Sequence, residues 1–133
     1  MGVKKITFSL LVLSVIGWGV GIFLLKFYSC GYSVFCYNLI TRSFALYYGM
    51  PALAIIFLTL MFLPSAFLMW KKFAVWFIPI ATLIFIFYPN PGSGDLFSPY
   101  PEQVFRWISS LYVIISIFVI AWSVIKQKNS LNK

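Results

Sequence analysis

The sequence predicts an all-α integral membrane protein, a single antiparallel four-helix transmembrane bundle with both termini in the cytoplasm. The first observation is composition, because 62% of the 133 residues are hydrophobic and only 9% are charged. A soluble domain is about half apolar and about a quarter charged, and a globule of this size cannot bury so much apolar surface. Charged residues also divide the chain into four apolar runs, and Lys and Arg are unevenly distributed between the ends of these runs. We therefore expect the lipid bilayer to be the solvent for most of the chain.

The first predicted span covers about residues 6–25, between Lys5 and Lys26, and contains no charged residue. As a helix it is about 30 Å long, which matches the hydrocarbon core of a bilayer. The apolar core of a cleaved signal peptide is shorter, about 7–15 residues, and a small-residue A-x-A site follows it. No such site follows this run, so we expect the helix to be retained.

The second predicted span covers about residues 44–69, between Arg42 and Lys71. A helix of this length, about 39 Å, is longer than the hydrocarbon core, so it must tilt, kink or begin in the interface. Pro51 and Pro64 lie near its two ends. Because proline removes a helix hydrogen bond, both are candidate kink or boundary points.

The third predicted span, about residues 72–88, is short, at about 25 Å. Lys71 and Lys72 precede it, and their long side chains can reach the interface from within the apolar region. Pro89 and Pro91 follow it. Since the residue before a proline disfavours the helical conformation, we expect the helix to end there.

The fourth predicted span covers about residues 104–125. Ser98 is a suitable N-cap, and Pro99 suits the first helical position. Glu102 would then lie in the first turn, where the helix dipole favours a negative charge. It also lies four residues before Arg106, so we expect the two side chains to pair.

The whole chain, 1–133, is predicted to be one membrane domain with outer loops at 26–43 and 89–103. A cytoplasmic N-terminus places seven basic residues on the inner side and three on the outer side, which satisfies the positive-inside rule. The inner residues are Lys4, Lys5, Lys71, Lys72, Lys126, Lys128 and Lys133, and the outer ones are Lys26, Arg42 and Arg106. We expect a multi-pass protein of a bacterial inner membrane.

Small residues recur at every seventh position of each predicted span: Thr7, Ser14 and Gly21; Ala45, Ala52, Thr59 and Ala66; Ala74 and Ala81; Ser109, Ser116 and Ser123. Gly17 adds a Gly-xxx-Gly pair with Gly21. This period keeps one stripe against a neighbouring helix, and in lipid small residues let backbones approach while hydroxyls can bond across helices.

The serine stripe of the fourth span, Ser109, Ser116 and Ser123, has two interpretations: helix packing or the lining of a polar path. None of the apolar runs between the charged residues, 6–25, 43–70, 73–88 and 107–125, contains Asp, Glu, Lys, Arg or His. Proton- or cation-coupled transporters usually keep an ionisable residue inside the membrane, so we favour packing. Contact of the stripe with the first helix would support packing, and a hydrated cavity would support transport.

The chain contains few residues of the types that carry out catalysis. The chain contains no His, two Cys and two carboxylates, so it offers no imidazole base and no four-ligand zinc or iron–sulfur site. We expect no catalytic residue, no metal and no cofactor, and we predict that the chain is not an enzyme. Nucleic-acid binding is not expected either, because the basic residues flank the apolar runs rather than form a separate patch.

The outer loops hold the remaining candidate residues. Cys30 and Cys36 lie in the first outer loop, on the oxidising side, and are predicted to form a disulfide bond. The alternative is a redox-active pair. The expected partner-binding residues of the two outer loops are Tyr32, Phe35, Asp95 and Phe97.

The leading functional hypothesis is a non-catalytic accessory or interaction subunit that binds a membrane-protein partner, as immunity proteins and assembly factors of membrane complexes do. The first alternative is a small channel or transporter that forms its path by homo-oligomerisation. The second is a thiol redox membrane protein. The residues that separate these hypotheses are the serine stripe and the cysteine pair.

Overall fold

A computed structural model describes residues 2–27, 34–88 and 99–131, with the side chains of 34–37 and 131 excepted. It contains four α-helices, α1 (Val3–Phe27), α2 (Val34–Phe62), α3 (Phe67–Phe87) and α4 (Pro101–Leu131), and a 3₁₀ turn at Pro64–Ala66. All four helices are long and apolar enough to cross a membrane. The predicted all-helical fold with four apolar helices is therefore confirmed.

The helices pack around a central pair formed by α2 and α4. These two helices run in the same direction, because Tyr48 bonds to Glu102 at one end and Gln127 bonds to Ser65 at the other. Helix α1 packs antiparallel along α2, and α3 packs antiparallel along α4. We call the end with Tyr48 and Glu102 the loop end, and the end with Ser65 and Gln127 the turn end.

The second and third helices meet at a different place from the predicted one. The prediction separated spans 44–69 and 72–88 at the lysine pair, whereas α2 ends at Phe62 and α3 begins at Phe67. Leu63 has left the helical conformation, with φ −121° and ψ 65°, because the ring of Pro64 disfavours a helical residue before it. The lysines mark no boundary here, since an exposed Lys can extend along the surface of a helix.

Two prolines lie inside helices rather than at their ends. Pro51 is part of α2 and Pro79 is part of α3. An interior proline removes one backbone hydrogen bond and costs about 3 kcal/mol in an isolated helix. Around Pro51, Met50 contacts Gly17 of α1 and Ala52 is buried in the core. Packing on two sides thus keeps α2 continuous through Pro51, which is not a boundary.

Helix α4 begins at Pro101 and not at Pro99. The backbone N–H groups of Gln103 and Val104 donate to the carbonyl oxygen of Tyr100 at 2.9 and 3.2 Å, which places Tyr100 at the N-cap position. Pro101 is thus the proline at the first helical position. The predicted N-cap, Ser98, lies outside the described residues.

The buried residues of each helix follow the spacing of a coiled-coil seam. On α4 the steps alternate mostly between four and three residues, which keeps one stripe toward the neighbouring helices. On α1 every buried residue is small, so this helix approaches α2 closely. The buried residues are Thr7, Ser14 and Gly21 on α1, Ala52, Ile56 and Leu60 among those of α2, and Phe105, Ser109, Tyr112, Ser116, Ile120 and Ser123 on α4.

Five hydroxyl groups of the described helices bond to their own backbone. Each donates to the carbonyl oxygen four residues earlier, at 2.7–2.9 Å: Thr7 to Val3, Ser14 to Leu10, Ser43 to Leu39, Thr59 to Ile55 and Thr82 to Ile78. A helix can satisfy a hydroxyl in this way without a partner helix. The expected bonds across helices are therefore not made by these residues, which act as small packing surfaces.

Candidate functional site

A group of polar side chains lies in the otherwise apolar centre of the bundle. The indole Nε1 of Trp70 on α3 donates a hydrogen bond to the hydroxyl of Ser116 on α4 at 3.3 Å, and both residues are buried. Ser109 and Tyr112, two turns and one turn before Ser116 on the same stripe of α4, are also buried. We call Trp70, Ser109, Tyr112 and Ser116 the polar cluster.

Aromatic rings hold the polar cluster in place. Trp70 meets Phe57 of α2 edge to face, with ring centroids 5.5 Å apart. Tyr112 packs against both Phe73 and Phe77 of α3, at centroid distances of 6.2 and 5.2 Å. Edge-to-face and offset pairs of this kind stabilise a defined ring orientation beyond simple burial. The cluster is therefore a rigid feature in surroundings of low polarity.

Two hydroxyl groups of the polar cluster have no hydrogen-bond partner in the part of the chain that the structure describes. These are Ser109 Oγ and Tyr112 Oη, on residues that are 7% and 4% exposed. Ser116 and Trp70 are polar neighbours of the Tyr112 hydroxyl, but they bond to each other. An unpaired buried polar group costs about 1–3 kcal/mol, and most such groups in proteins find a partner.

Both residues with unpaired hydroxyls line a groove of about 80 Å³ between α2, α3 and α4. Helices α2 and α3 contact each other less than either contacts α4, so α4 forms the floor of the groove. Small residues leave the space open, among them Gly49, Ala52 and Ala81. Apart from the two hydroxyls and the self-bonded Thr82, the wall is apolar.

The three serines of the predicted stripe have different surroundings. Ser109 lines the groove, Ser116 accepts the Trp70 bond, and Ser123 is buried nearer the turn end. Ser109 shares the groove with residues of α2 and α3, and Ser116 contacts α3 through Trp70, whereas α1 packs chiefly on α2. For the stripe as a whole, the choice between helix packing and a polar path stays a prediction.

The predicted glycine pair lies elsewhere, at the seam between α1 and α2. A Cβ atom added to Gly21 would be 3.0 Å from the backbone nitrogen of Tyr47, so the two backbones are in close contact. A Cβ atom added to Gly17 would meet the flexible side chain of Met50, also at 3.0 Å. The structure does not bring these glycines together with the serine stripe.

The predicted outer-loop residues cannot be placed within this geometry. Tyr32, Asp95, Phe97 and Cys30 lie outside the described residues, as do the side chains of Phe35 and Cys36. The disulfide bond and the partner-binding role of these loops therefore stay predictions.

The loop end of the bundle is joined by two tyrosine hydroxyls. Tyr48 Oη on α2 donates to Glu102 Oε1 on α4 at 2.8 Å, and Tyr88 Oη donates to the carbonyl oxygen of Pro99 at 2.9 Å. Glu102 thus bonds across helices, where the sequence predicted a pair with Arg106. A first-turn carboxylate can accept from a neighbouring helix because the dipole already stabilises its charge.

Two residues of the polar cluster, Trp70 and Tyr112, were not among the predicted site residues. Trp70 stands directly before Lys71 and Lys72, at the predicted boundary between spans 44–69 and 72–88. In the structure it lies within α3 and is buried. The available signal was chemical, since a Trp or Tyr in an apolar helix usually finds a polar partner for its N–H or O–H group. Tyr112 also falls on the stripe that holds the three serines, between Ser109 and Ser116.

The arrangement offers neutral hydrogen-bond donors and acceptors in an apolar wall. Among the described residues there is no cluster of three or more His, Cys, Asp or Glu that could hold a metal ion. Comparisons with protein-family models, with curated proteins and with solved structures find no match.

Proposed function

We propose that the chain is a non-catalytic membrane protein that binds another membrane protein inside the bilayer, as an accessory subunit of a complex. Both termini would lie in the cytoplasm of a bacterium, with the turn end facing inward. The observation that carries the proposal is a second face of α1, which none of the other described helices covers.

This face consists of side chains separated by steps of three and four residues, Ser9, Val12, Ile16, Gly19 and Phe23, all of them exposed. We call it the Gly19 face. A Cβ atom added to Gly19 would meet nothing within 4 Å. Lipid chains gain no specific contact from such a gap, whereas a partner helix can approach a glycine closely and gain packing contacts. Helix α1 therefore has two packing surfaces, one used within the chain and one available to another protein.

The chemistry of the interior also supports binding over transport or catalysis. The buried polar groups of the described side chains belong to Thr, Ser, Tyr and Trp, and they include no carboxylate, ammonium or guanidinium group. Coupled transporters usually carry such a group in the membrane. The serine that would sit midway along a polar path, Ser116, is occupied by the indole of Trp70.

The test is purification of the tagged full chain from its native membrane in a gentle detergent, followed by mass spectrometry and quantification of partner stoichiometry. We expect one membrane protein at a fixed ratio. Gly19→Leu should lower its recovery at least about tenfold, because a side chain at this position keeps the partner helix away. The fold should be kept, since the added atoms point into open space.

Val20→Leu is the matched control, since Val20 is exposed on a neighbouring face of α1 and its change should leave recovery unaltered. Equal recovery with Gly19→Leu would refute the Gly19 face as the contact. Recovery of a pure homo-oligomer would refute the accessory function and favour the oligomeric channel.

A further inference from the structure

We infer that the groove between α2, α3 and α4 binds a neutral, lipid-soluble molecule that presents a carbonyl-type oxygen to Ser109 and Tyr112. This inference does not depend on the proposed accessory function, because the groove and the Gly19 face are on different helices. It starts from the two hydroxyls that have no partner although they are buried among well-packed side chains.

Ser109 differs from three of the other buried hydroxyls in how it is bonded. Thr7, Ser14 and Ser43 all donate to a carbonyl oxygen of their own helix, the usual arrangement for a hydroxyl in an apolar helix. Ser109 makes no such bond, and its side chain lines the groove instead. Its hydroxyl is thus available to a group that occupies the groove.

Tyr112 adds a second donor close to the first. A tyrosine hydroxyl is at the far end of its ring and cannot reach its own backbone, so a buried Tyr needs a partner from elsewhere. The ring packs against both Phe73 and Phe77, which favours one orientation of the side chain. Ser109 and Tyr112 are three residues apart on one helix face and both line the groove, so one occupant can contact both residues.

The walls of the groove determine the charge of the occupant. They are apolar and carry no Lys, Arg, Asp or Glu. An ionic group would lose its hydration here and gain no opposite charge, which is strongly unfavourable. A neutral carbonyl oxygen, by contrast, would replace its bonds to water with two bonds to hydroxyls.

The size of the groove favours a narrow apolar body. Its volume of about 80 Å³ is several times the roughly 10–15 Å³ that one water molecule needs. An ordered water also requires two to four polar partners, and several waters could not all find them between Ser109 and Tyr112. The rings of Phe77 and Phe85 on the wall suit a flat or aromatic group.

The test uses benzophenone, an apolar ketone that inserts into neighbouring C–H bonds under near-ultraviolet light. The purified full chain in liposomes is irradiated with a low concentration of the probe, and the modified residues are identified by peptide mass spectrometry. We expect adducts concentrated on groove residues such as Leu53, Ile78 and Phe85. An excess of 4-methylacetophenone should suppress them, whereas 4-ethyltoluene, a hydrocarbon of similar shape without the oxygen, should not.

The double variant Ser109→Ala, Tyr112→Phe removes both hydroxyls and keeps the shape of the groove. We expect it to lower labelling of the groove about tenfold, the effect of two lost hydrogen bonds of ordinary strength. The matched control is Ser14→Ala with Tyr100→Phe, which removes a self-bonded hydroxyl and an exposed one and should change nothing.

A second variant, Ala81→Phe, fills the groove and should abolish the same adducts. Three results would overturn the inference: adducts spread evenly over the exposed faces of all helices, equal suppression by the hydrocarbon, or unchanged labelling of the double variant. The last comparison remains informative if Ala81→Phe fails to fold.

Discussion

Gly19 and Gly21 are two residues apart on α1 and have opposite surroundings. Gly21 is buried against the backbone of α2, while Gly19 faces open space. The seven-residue spacing from Thr7 and Ser14 identifies Gly21 as a packing residue, and Gly19 lies outside that stripe. A residue's role in a membrane helix therefore depends on its position in the repeat, because both faces of the helix are otherwise apolar.

Gly21→Ala is expected to destabilise the protein, whereas Gly19→Ala is not. The new methyl group of Gly21→Ala would lie 3.0 Å from the Tyr47 nitrogen and 3.1 Å from the Leu46 Cβ atom, and such overpacking typically costs about 1–3 kcal/mol. At Gly19 the same change gains up to about 1 kcal/mol of helix propensity. Unfolding of both variants by denaturing detergent measures the difference, and equal stabilities would contradict the close contact.

The partner of each hydroxyl could not be read from the sequence. Ser109, Ser116 and Ser123 repeat with the same period, but only Ser116 meets an indole N–H group. That partner comes from Trp70, on another helix and 46 positions away. Periodicity reports which side of a helix is covered, and it carries no information about which group on the facing helix lies opposite.

At the scale of the helices, the positions of the prolines explain the helix boundaries better than the positions of the charged residues do. Pro64 ends α2, while Lys71 and Lys72 lie inside α3 with exposed side chains. Proline has no backbone N–H group and therefore changes the path of the chain locally. A lysine side chain, by contrast, can extend from within the apolar region to the membrane surface without any change in the helix. The predicted boundary at 69–72 differs from the observed one for this reason. Pro51 shows that helix packing can also keep a helix continuous through a proline.

The hydrogen bond between Tyr48 and Glu102 is expected to couple α2 to α4 at the loop end. Removing it with Tyr48→Phe should cost about 1 kcal/mol, a modest value because the bond is exposed. Glu102→Ala, which removes the acceptor oxygen, should cost at least as much, and the double variant should cost less than the sum of the two, since both single changes remove the same interaction.

Denaturing-detergent unfolding of the four proteins in this cycle gives the coupling free energy directly. Tyr47→Phe is the control, because Tyr47 is adjacent and packs edge to face on Tyr48 with centroids 5.0 Å apart. Additive effects of Tyr48→Phe and Glu102→Ala would show that the bond does not join the helices.

At the scale of the whole molecule, the presence of four apolar helices could be predicted from composition, but which helix packs against which could not. The central position of α2 and α4 could not be predicted, because lipid-facing and helix-facing side chains are both apolar here. Large residues such as Trp76 and Phe118 are exposed, and Trp70 is buried. In a soluble bundle, polar residues would have marked the outer faces.

The turn end is expected to face the cytoplasm. It holds the start of α1, the end of α4 and both lysine pairs near α1 and α3, namely Lys4, Lys5, Lys71 and Lys72, as the positive-inside rule requires. Alkaline phosphatase, which is active only outside the cytoplasm, should be inactive when fused after Lys133 and active when fused after Tyr88.

A green fluorescent protein fusion after Lys133, fluorescent in the cytoplasm, is the complementary control for this orientation. The reverse pattern, an active phosphatase at Lys133 and an inactive one at Tyr88, would place the basic residues outside. It would also remove the assumption on which the disulfide prediction for Cys30 and Cys36 depends.

The connection from Phe62 to Phe67 has a consequence for biogenesis. Four residues separate these helices, and even fully extended they reach only about 14 Å, less than half the thickness of the hydrocarbon core. The end of α2 and the start of α3 must therefore lie on the same side of a bilayer that both helices cross. Once α2 is inserted, the short connection holds the start of α3 beside it and limits the positions from which α3 can enter.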